Sequence, residues 1–381
     1  MVADRWPNRR PADVGEKSSK ETMASIASLG YFLSVLPDAV QRGWIRRAEA
    51  VRQAKTLLDF ANRKLEGQDG LFYHFVDWKT GRRWRDSEVS ALDSAIFLNG
   101  CMVAAEGFPN DDGGRVADLA NSLIDGADWS RFLTTDARTG KALLSFGWTP
   151  EKGLLGPMDV RSSEMAMPYF LAVGSRTHSI DPRCWYNTRV SYREVCGRRV
   201  LNGEHPLFTS YYGLGWHGLA GMVDKDGVDF EGNAREAALA NRECCRRLGQ
   251  KHSTFRPEAG GWWGISAGDS ARGYVAAGPL GDPGSTVWPT AALAAVPYMP
   301  EVVRQNLPAW RASKAWGLAC GHYGLAPFDL DGQWVGQDLI GIDVGSFLVS
   351  FENLQNDAVH RLWSKHPVAV SAFRKLGYRR K

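Results

Sequence analysis

The chain has 381 residues, of which 44% are hydrophobic, and its 46 basic and 42 acidic side chains give a net charge of +4. This length suffices for a large core, and the well-mixed charge argues against a polyanion such as nucleic acid as partner. No apolar run reaches the length of a membrane-spanning helix, and the first residues lack the apolar core of a secretory signal. The basic pairs Arg9-Arg10 and Arg379-Arg380 are interpreted as solvated ends.

Helical periodicity recurs along most of the chain, while extended patterns are rare. The first two helices are expected over residues 22–41 and 46–62, and a rim hairpin over residues 70–84. Later helices are predicted over residues 88–106, 114–132, 163–173, 182–194, 233–247, 289–296, 300–317, 345–355 and 358–378. Long loops rich in Gly and Trp cover residues 202–230, 259–283 and 321–342, and loops of such length usually carry function.

This element order predicts an all-α chain in which inner and outer helices form an (α/α)6 barrel, a double-ring toroid with its long loops over the cavity. A helical solenoid would show a fixed repeat, and none is visible. No linker-like segment divides the sequence, so we predict an N-terminal tail over residues 1–21 and a single domain over residues 22–381. We expect a monomer.

The six cysteines show no metal-binding spacing, so we predict neither a metal nor a cofactor. One disulfide remains open as an alternative to buried free thiols. The fifteen Trp residues are many for this length, and several lie in polar loops, where an indole ring suits a sugar face. About half of them are expected only to fill the core.

Glu164 is the leading candidate for chemistry. Ser162 or Ser163 can cap a helix that starts there, which puts Glu164 in the first turn above apolar residues such as Met165 and Tyr169. Such a carboxylate either compensates the helix dipole or acts as a general acid whose pKa is raised by its apolar neighbours. Both alternatives are open at this point.

Further acids and aromatic residues complete the candidate set. Asp343 precedes a predicted helix, where it is either an N-cap or a general base that holds a water opposite Glu164. Asp93 lies deeper in its helix than Glu88 and needs a partner, either a sugar hydroxyl or a structural group. The substrate-binding candidates are Glu88, Asp93, Tyr211, Tyr212, Trp216, Trp262, Trp263, Asp269 and Asp338.

Several of these segments together resemble the glucoamylase-like domain family that includes the β-1,2-glucanases of glycoside hydrolase families 144 and 162. The resemblance rests on residues 24–28, 42–45, 72–78, 87–93, 163–165, 174–178, 240–242, 263–267, 289–292 and 341–343. The sequence departs from the family pattern at residues 211–217, which carry glycines, and at Met167-Pro168.

The resemblance implies an (α/α)6 barrel with an inverting acid and base on its central cavity. Glu164 matches the acid, Asp343 resembles the base, and Glu88 with Asp93 matches an acidic region that lines the cavity. We therefore expect an inverting glycoside hydrolase that acts on a β-glucan, β-1,2-glucan or its oligosaccharides above all. Because the family is generally exported, a periplasmic or secreted location is expected if a leader precedes this chain.

Two alternatives to hydrolysis remain at this stage. The first is a carbohydrate-binding protein with little or no turnover. The second is a transglycosylase or a polysaccharide lyase on the same barrel, and the lyase would need a Tyr or His base such as Tyr211 or His217 beside a uronate-binding Arg cluster. The partner in every case is an oligosaccharide or polysaccharide.

Overall fold

Residues 3–8 and 22–381 are described by the structure, which is a computed structural model. Helices are the main secondary structure within them. They are α1 (Ile26–Gln41), α2 (Arg47–Lys64), α3 (Ala91–Gly107), α4 (Arg115–Gly126), α5 (Ser163–Gly174), α6 (Arg183–Tyr186), α7 (Phe230–Leu248), α8 (Pro289–Ala294), α9 (Pro300–Ala312), α10 (Lys314–Ala319), α11 (Gly341–Asn356), α12 (Ala358–Trp363) and α13 (Pro367–Leu376). No helix in these ranges combines the length and apolar character needed to cross a bilayer.

Short antiparallel strands connect the helices. In chain order they are β1 (Arg5–Pro7), β2 (Met23–Ser25), β3 (Gly67–Gln68), β4 (Leu71–Phe72), β5 (Phe75–Asp77), β6 (Val89–Ser90), β7 (Leu133–Thr135), β8 (Ala142–Leu144), β9 (Gly147–Thr149), β10 (Gly153–Leu154), β11 (Tyr192–Val195), β12 (Arg198–Leu201), β13 (Met222–Val223), β14 (Ala267–Ser270), β15 (Gly273–Ala276), β16 (Phe328–Asp329), β17 (Trp334–Val335), β18 (Asp338–Ile340) and β19 (Arg379–Arg380). They form ribbons such as β14–β15, apart from one three-stranded sheet in the order β10-β9-β6. The prediction of a mostly helical chain is therefore confirmed.

Five helices form a continuous row of neighbours around the core. Helix α1 contacts α3 and α11, α3 also contacts α5, and α11 also contacts α8. The 3-10 turns Leu207–Ser210 and Gly213–Gly215 both contact α5, and the second also contacts α11. Other helices, including α2, α4, α12 and α13, pack against this row. Closure into six inner and outer pairs stays a prediction.

Glycines allow the two central helices of this row to approach closely. A Cβ on Gly30 would lie 2.3 Å from the Ile96 carbonyl oxygen, and a Cβ on Gly100 would lie 2.1 Å from the Gly30 carbonyl oxygen. Because backbone atoms cannot yield as a flexible side chain can, only glycine fits at these crossing points.

The predicted helix over residues 182–194 is wrong. Only the four-residue helix α6 forms there, and β11 follows it to pair with β12. Cys196 and Gly197 connect the two strands with φ of 48° and 89°, which is the left-handed backbone of a tight hairpin turn. Cys196 also forms a disulfide with Cys244 of α7. The sequence had left a single disulfide open as an alternative to free thiols, and the structure contains one.

The N-terminal segment differs from the tail that the sequence predicted, whereas Arg379 and Arg380 are exposed, as predicted. Strand β1 lies within the predicted N-terminal tail and pairs with β18, while Asp4 and Asn8 are buried. Strand β19 is exposed but pairs with β13. Arg9-Arg10 and most of the predicted tail over residues 1–21 lie outside the described residues.

Candidate active site

Three carboxylates occupy the first turns of three helices in the row around the core. Asp93 lies in the first turn of α3, Glu164 in that of α5 and Asp343 in that of α11. Backbone N–H groups without helical partners point out of such first turns, so these ends form a polar opening on an otherwise apolar core.

Tyr31 of α1 links the three acids. Its side chain is 3% exposed, and its hydroxyl has no hydrogen-bond partner in the described part of the chain. Burial raises the pKa of Tyr31 well above its usual value, and charges on Glu164, Asp343 and Asp93 raise it further. The charges of all three carboxylates therefore act on the same buried phenol group.

Glu164 has the apolar setting that its sequence neighbours predicted. The Ser162 hydroxyl accepts a hydrogen bond of 3.1 Å from the Met165 amide, so Ser162 caps α5 and leaves the Glu164 carboxyl group free. That carboxyl group makes no hydrogen bond or ion pair with any residue that the structure describes. Burial raises the pKa of Glu164 to about 8, with a smaller contribution from the charge of Asp93. At neutral pH Glu164 is mostly protonated.

Asp343 differs from its prediction in two respects. Helix α11 begins at Gly341, so Asp343 lies inside the first turn and is not the N-cap. Its pKa is raised to about 7, by burial first and then by the charges of Asp4 and Asp269, against the opposing charge of Arg5. The backbone amides of the helix start do not keep this pKa low, because burial and two like charges outweigh them. Its pKa still lies below that of Glu164.

The N-terminal segment forms one side of this site. The Arg5 guanidinium donates a hydrogen bond to the Asp269 carboxylate and lies 3.5 Å from that of Asp4. The Gly341 amide at the start of α11 donates to the Asp4 carbonyl oxygen at 2.8 Å. Burial raises the pKa of Asp338, whose buried Oδ1 lacks a partner among the described residues. Asp269 and Asp338 therefore lie beside the Asp343 side of the site.

A histidine connects the two predicted acids of the α3 region. His74 Nδ1 lies 3.0 Å from Glu88 Oε1, and His74 Nε2 lies 3.5 Å from Asp93 Oδ1. Burial alone would lower the pKa of His74, but the charges of Asp93 and Glu88 outweigh it and raise this pKa to about 9. The three groups are near enough to hold a metal ion, which would have to displace the proton of His74. Asp93 thus has structural partners in His74 and in the Ser90 hydroxyl at 2.5 Å.

A cavity of about 580 Å³ adjoins this cluster. Its walls combine apolar, hydroxyl and charged side chains. They are His74, Asp86, Glu88, Ser90, Leu92, Asp93, Phe146, Thr149, Glu151, Lys152 and Leu155. Neither Glu164 nor Asp343 lines it, so Asp93 is the shared boundary between this cavity and the site of Glu164.

Three predicted sugar-binding tryptophans are part of the core, and their assignment is wrong. Trp216, Trp262 and Trp263 are each at most 1% exposed. Their indole N–H groups donate to the Ser34 hydroxyl, the Ala259 carbonyl oxygen and the Asn306 side chain. A ring with both faces packed cannot stack on a sugar.

The segment over residues 211–217 is likewise more buried than predicted. Tyr211 is 3% exposed and donates its hydroxyl to the Ala291 carbonyl oxygen, and Tyr212 is 6% exposed. Burial raises the pKa of both tyrosines, and the charge of Asp343 raises it further, so both lie within reach of that charge. His217 stacks on Phe170 at 4.1 Å, and burial lowers its pKa to about 3. The bases considered for a lyase are thus built into the interior.

One exposed aromatic residue at the site was missed. Tyr274 on the β14–β15 hairpin is 63% exposed. It is the cross-strand partner of Asp269, which places both residues on the same face of the hairpin. The sequence did hint at Tyr274, because it follows the acidic aromatic loop that ends at Asp269. Its position beside the acids, however, depends on the pairing of β14 with β15, which the sequence did not predict. Tyr31 was missed because its apolar neighbours in the sequence indicate the core of a helix. Arg5 was missed because it lies in the predicted N-terminal tail.

Comparisons with known proteins match this description. A family model described as "Putative glucoamylase" matches residues 158–367. No curated protein matches the chain. The endo-β-1,2-glucanase of Chitinophaga pinensis, solved with sophorotriose and glucose, is similar at 22% identity and a TM-score of 0.87, covering 100% of this chain and 92% of that one.

Two further solved structures share the fold. A "putative glucoamylase" of Bacteroides uniformis is 22% identical with a TM-score of 0.85, covering 100% of this chain and 92% of that one. The β-1,2-glucanase of Parabacteroides distasonis is 20% identical with a TM-score of 0.81, covering 93% of this chain and 55% of that one. The family model spans more than half of the sequence. The chain therefore belongs to the glucoamylase-like family.

Proposed function

We propose that the protein is a glycoside hydrolase that cleaves a β-glucan, first of all β-1,2-glucan or its oligosaccharides, with inversion of the anomeric carbon. One observation carries the proposal. Two carboxyl groups in the first turns of α5 and α11, Glu164 and Asp343, both act on the buried Tyr31 phenol, and their pKa values are raised to about 8 and about 7. Near neutral pH this order favours a protonated Glu164 beside an ionised Asp343, as an acid and base pair requires.

In the proposed mechanism Glu164 is the acid and Asp343 the base. Glu164 donates its proton to the glycosidic oxygen as the bond from that oxygen to the anomeric carbon breaks. Asp343 takes a proton from a water that attacks the same carbon from the opposite face. An inverting pair is expected to hold its carboxyl groups about 6.5–9.5 Å apart, or farther if a substrate hydroxyl relays the proton. The next turnover requires only that Asp343 release its proton and Glu164 regain one.

The β-linkage is supported by similarity rather than by the site alone. Solved relatives named as β-1,2-glucanases cover this chain almost completely, and one of them was solved with sophorotriose and glucose. The family description names a glucoamylase instead, so starch is the natural competing substrate. We also propose that the row of helices closes as an (α/α)6 barrel, which the contacts of the 3-10 turns with α5 and α11 support.

The natural location is proposed to be periplasmic or extracellular. The Cys196–Cys244 disulfide supports this, because structural disulfides persist mainly in oxidising compartments. The thiols of Cys101, Cys184 and Cys245 are buried, where they are protected from exchange.

The experiment that tests the proposal is product analysis of the purified chain with β-1,2-glucan, laminarin, starch and a uronate polymer. Release of β-1,2-linked oligosaccharides by the wild type is expected. Glu164→Gln and Asp343→Asn should each lower kcat by about a hundredfold or more while substrate binding persists.

Each other outcome has a distinct meaning. Products from starch alone would replace the β-glucan assignment with an α-glucan one. Products that absorb as unsaturated uronates would indicate a lyase, and binding without any product would indicate a carbohydrate-binding protein. Near-normal turnover by either variant would move the catalytic pair elsewhere, with Glu88, Asp93 and Asp269 as the next acids to replace.

A further inference from the structure

We infer that the cavity beside Asp93 is a sugar subsite for an uncharged glycan, in which Phe146 forms the platform for a sugar ring. The inference rests on the proposed function, since it concerns the same substrate some distance from the bond that is cleaved. A volume of about 580 Å³ lies in the range typical of small-molecule sites.

The position of Phe146 is fixed by the backbone on both sides. The Ala91 amide, at the start of α3, donates to the Phe146 carbonyl oxygen at 3.0 Å, and the Phe146 amide donates to the Gly156 carbonyl oxygen at 2.9 Å. Ala91 is two residues before Asp93, so the ring is anchored next to the first turn that carries this acid. The Phe146 side chain is nevertheless 37% exposed. An anchored aromatic ring with an exposed surface in a cavity is available for a ligand.

The other walls suit a sugar ring. Leu92 and Leu155 add apolar surface to that of Phe146, while Ser90 and Thr149 bring hydroxyl groups. A pyranose ring has apolar C–H faces and a rim of hydroxyl groups, so it needs both kinds of wall. Carboxylates accept hydrogen bonds from such hydroxyl groups and supply the orientation that apolar contact lacks.

The charge of the lining selects against acidic sugars. Four acidic residues line the cavity, Asp86, Glu88, Asp93 and Glu151, against the two basic residues His74 and Lys152. Glu151 is ionised but already paired with the Arg83 guanidinium, which lowers its pKa to about 2, so three acidic groups remain against His74 and Lys152. A uronate or a phosphorylated sugar would add like charge to this surface, whereas a neutral glucan would not.

Asp93 connects this cavity with the reaction site. It lines the cavity, and its charge also contributes to the raised pKa of Glu164. A glycan that occupies the cavity would thus extend from Asp93 towards the carboxyl group that protonates the leaving oxygen. Longer oligosaccharides should gain from the subsite, and the shortest should not reach it.

The test compares Phe146→Ala with Leu154→Ala, a matched control whose exposed side chain lies on β10 close by but does not line the cavity. For β-1,2-linked gluco-oligosaccharides from the disaccharide to the heptasaccharide, kcat/KM is measured with each variant. Phe146→Ala should lose about three- to tenfold on the long members and little on the disaccharide, as expected for one aromatic contact. Leu154→Ala should match the wild type, and Phe146→Tyr should restore the loss.

Failure of the subsite and failure of the proposed function are distinguishable. Equal losses at every length, or no loss with Phe146→Ala, would overturn the subsite while wild-type turnover still supports hydrolysis. If the wild type cleaves none of these sugars, the proposed hydrolase function is wrong. The subsite is then tested by calorimetric titration of the wild type, Phe146→Ala and Leu154→Ala with the heptasaccharide, and weaker binding by Phe146→Ala alone would support it. Binding of an oligogalacturonate as tightly as the neutral heptasaccharide would overturn the selection for uncharged glycans.

Discussion

Glu164 and Asp343 show how strongly burial competes with a helix N-terminus. Both side chains lie in first turns, where the helix dipole favours the anion. Both pKa values are nevertheless raised, because removal from water disfavours the charged form. The interval between them sets the pH range in which one is protonated and the other ionised.

We expect a narrow pH optimum for kcat/KM. Asp343 is ionised above its pKa of about 7, and Glu164 keeps its proton below its pKa of about 8. Activity should therefore fall on the acidic side as Asp343 gains a proton and on the alkaline side as Glu164 loses one. Initial rates at low substrate across the pH range check this, and a broad plateau down to pH 5 would contradict it.

Arg5 should control the acidic limb of that profile. Its positive charge favours the Asp343 anion, and a single partly screened charge changes a neighbouring pKa by about half a unit to one unit. Arg5→Met should therefore shift the acidic limb to higher pH, and Arg5→Lys should leave it nearly in place. Arg63→Met, which removes an exposed Arg paired within α2, is the matched control. An unchanged limb in Arg5→Met would remove Arg5 from the site.

The two acids also differ in how far the sequence could predict their environments. The apolar neighbours of Glu164 are adjacent in the chain, so the sequence alone suggested a raised pKa as one of two alternatives, and burial does raise it. The charges that act on Asp343 come from Asp4 and Asp269, which are distant in sequence. Only the pairing of β1 with β18 and the fold of the β14 loop bring them together.

At the level of elements, a buried ion pair holds the start of α5. The Arg161 guanidinium lies 3.1 Å from Asp224 and 2.5 Å from Asp226, and it also contacts the ring faces of Trp185 and Tyr186. Arg161 is 1% exposed and Asp224 is fully buried. Because Ser162 and Glu164 follow directly, this pair fixes the loop from which the candidate acid projects.

Arg161→Met should destabilise the protein by about 3–5 kcal/mol, since it leaves Asp224 buried without its charged partner. The free energy of unfolding from denaturant titration measures this. Arg183→Met is the control, because Arg183 is exposed, pairs with Asp181 on the surface and should contribute little to stability. Equal effects of the two substitutions would show that the buried pair does not anchor α5.

Helix positions could be predicted from apolar spacing, but helix ends and short hairpins could not. The predicted helix over residues 358–378 is divided into α12 and α13, where Pro367 begins the second helix. The helix predicted over residues 182–194 ignored the Cys196-Gly197 turn, whose left-handed backbone allows β11 and β12 to pair. Over residues 182–194 the weak helical periodicity was therefore misleading, because the residues of the turn favour a hairpin.

At the scale of the whole molecule, tryptophans mainly build the core. Eight of the fifteen are at most 1% exposed, in agreement with the expectation that about half would fill the interior. Sequence could not identify which, because Trp216, Trp262 and Trp263 lie among glycines and polar residues but pack against distant rings or side chains. The rings of Phe146 and Tyr274, by contrast, remain exposed.

The Cys196–Cys244 disulfide should stabilise the folded chain measurably. It closes a loop with a sequence separation of 48, for which chain entropy gives about 4 kcal/mol as an upper estimate. Reduction, or the double replacement of both cysteines by Ser, should lower the melting temperature, whereas Cys320→Ser, at an exposed free thiol, should not. Equal melting temperatures with and without reductant would contradict a structural role.

The central claim is that Glu164 and Asp343 act as an inverting acid and base on a β-linked glucan. The most direct measurement is proton NMR of the anomeric signals during the first minutes of β-1,2-glucan cleavage, before mutarotation mixes the products. Inversion at a β-linkage predicts that new reducing ends appear first as the α-anomer. First appearance of the β-anomer would mean retention through a covalent intermediate and would contradict the roles assigned to both residues.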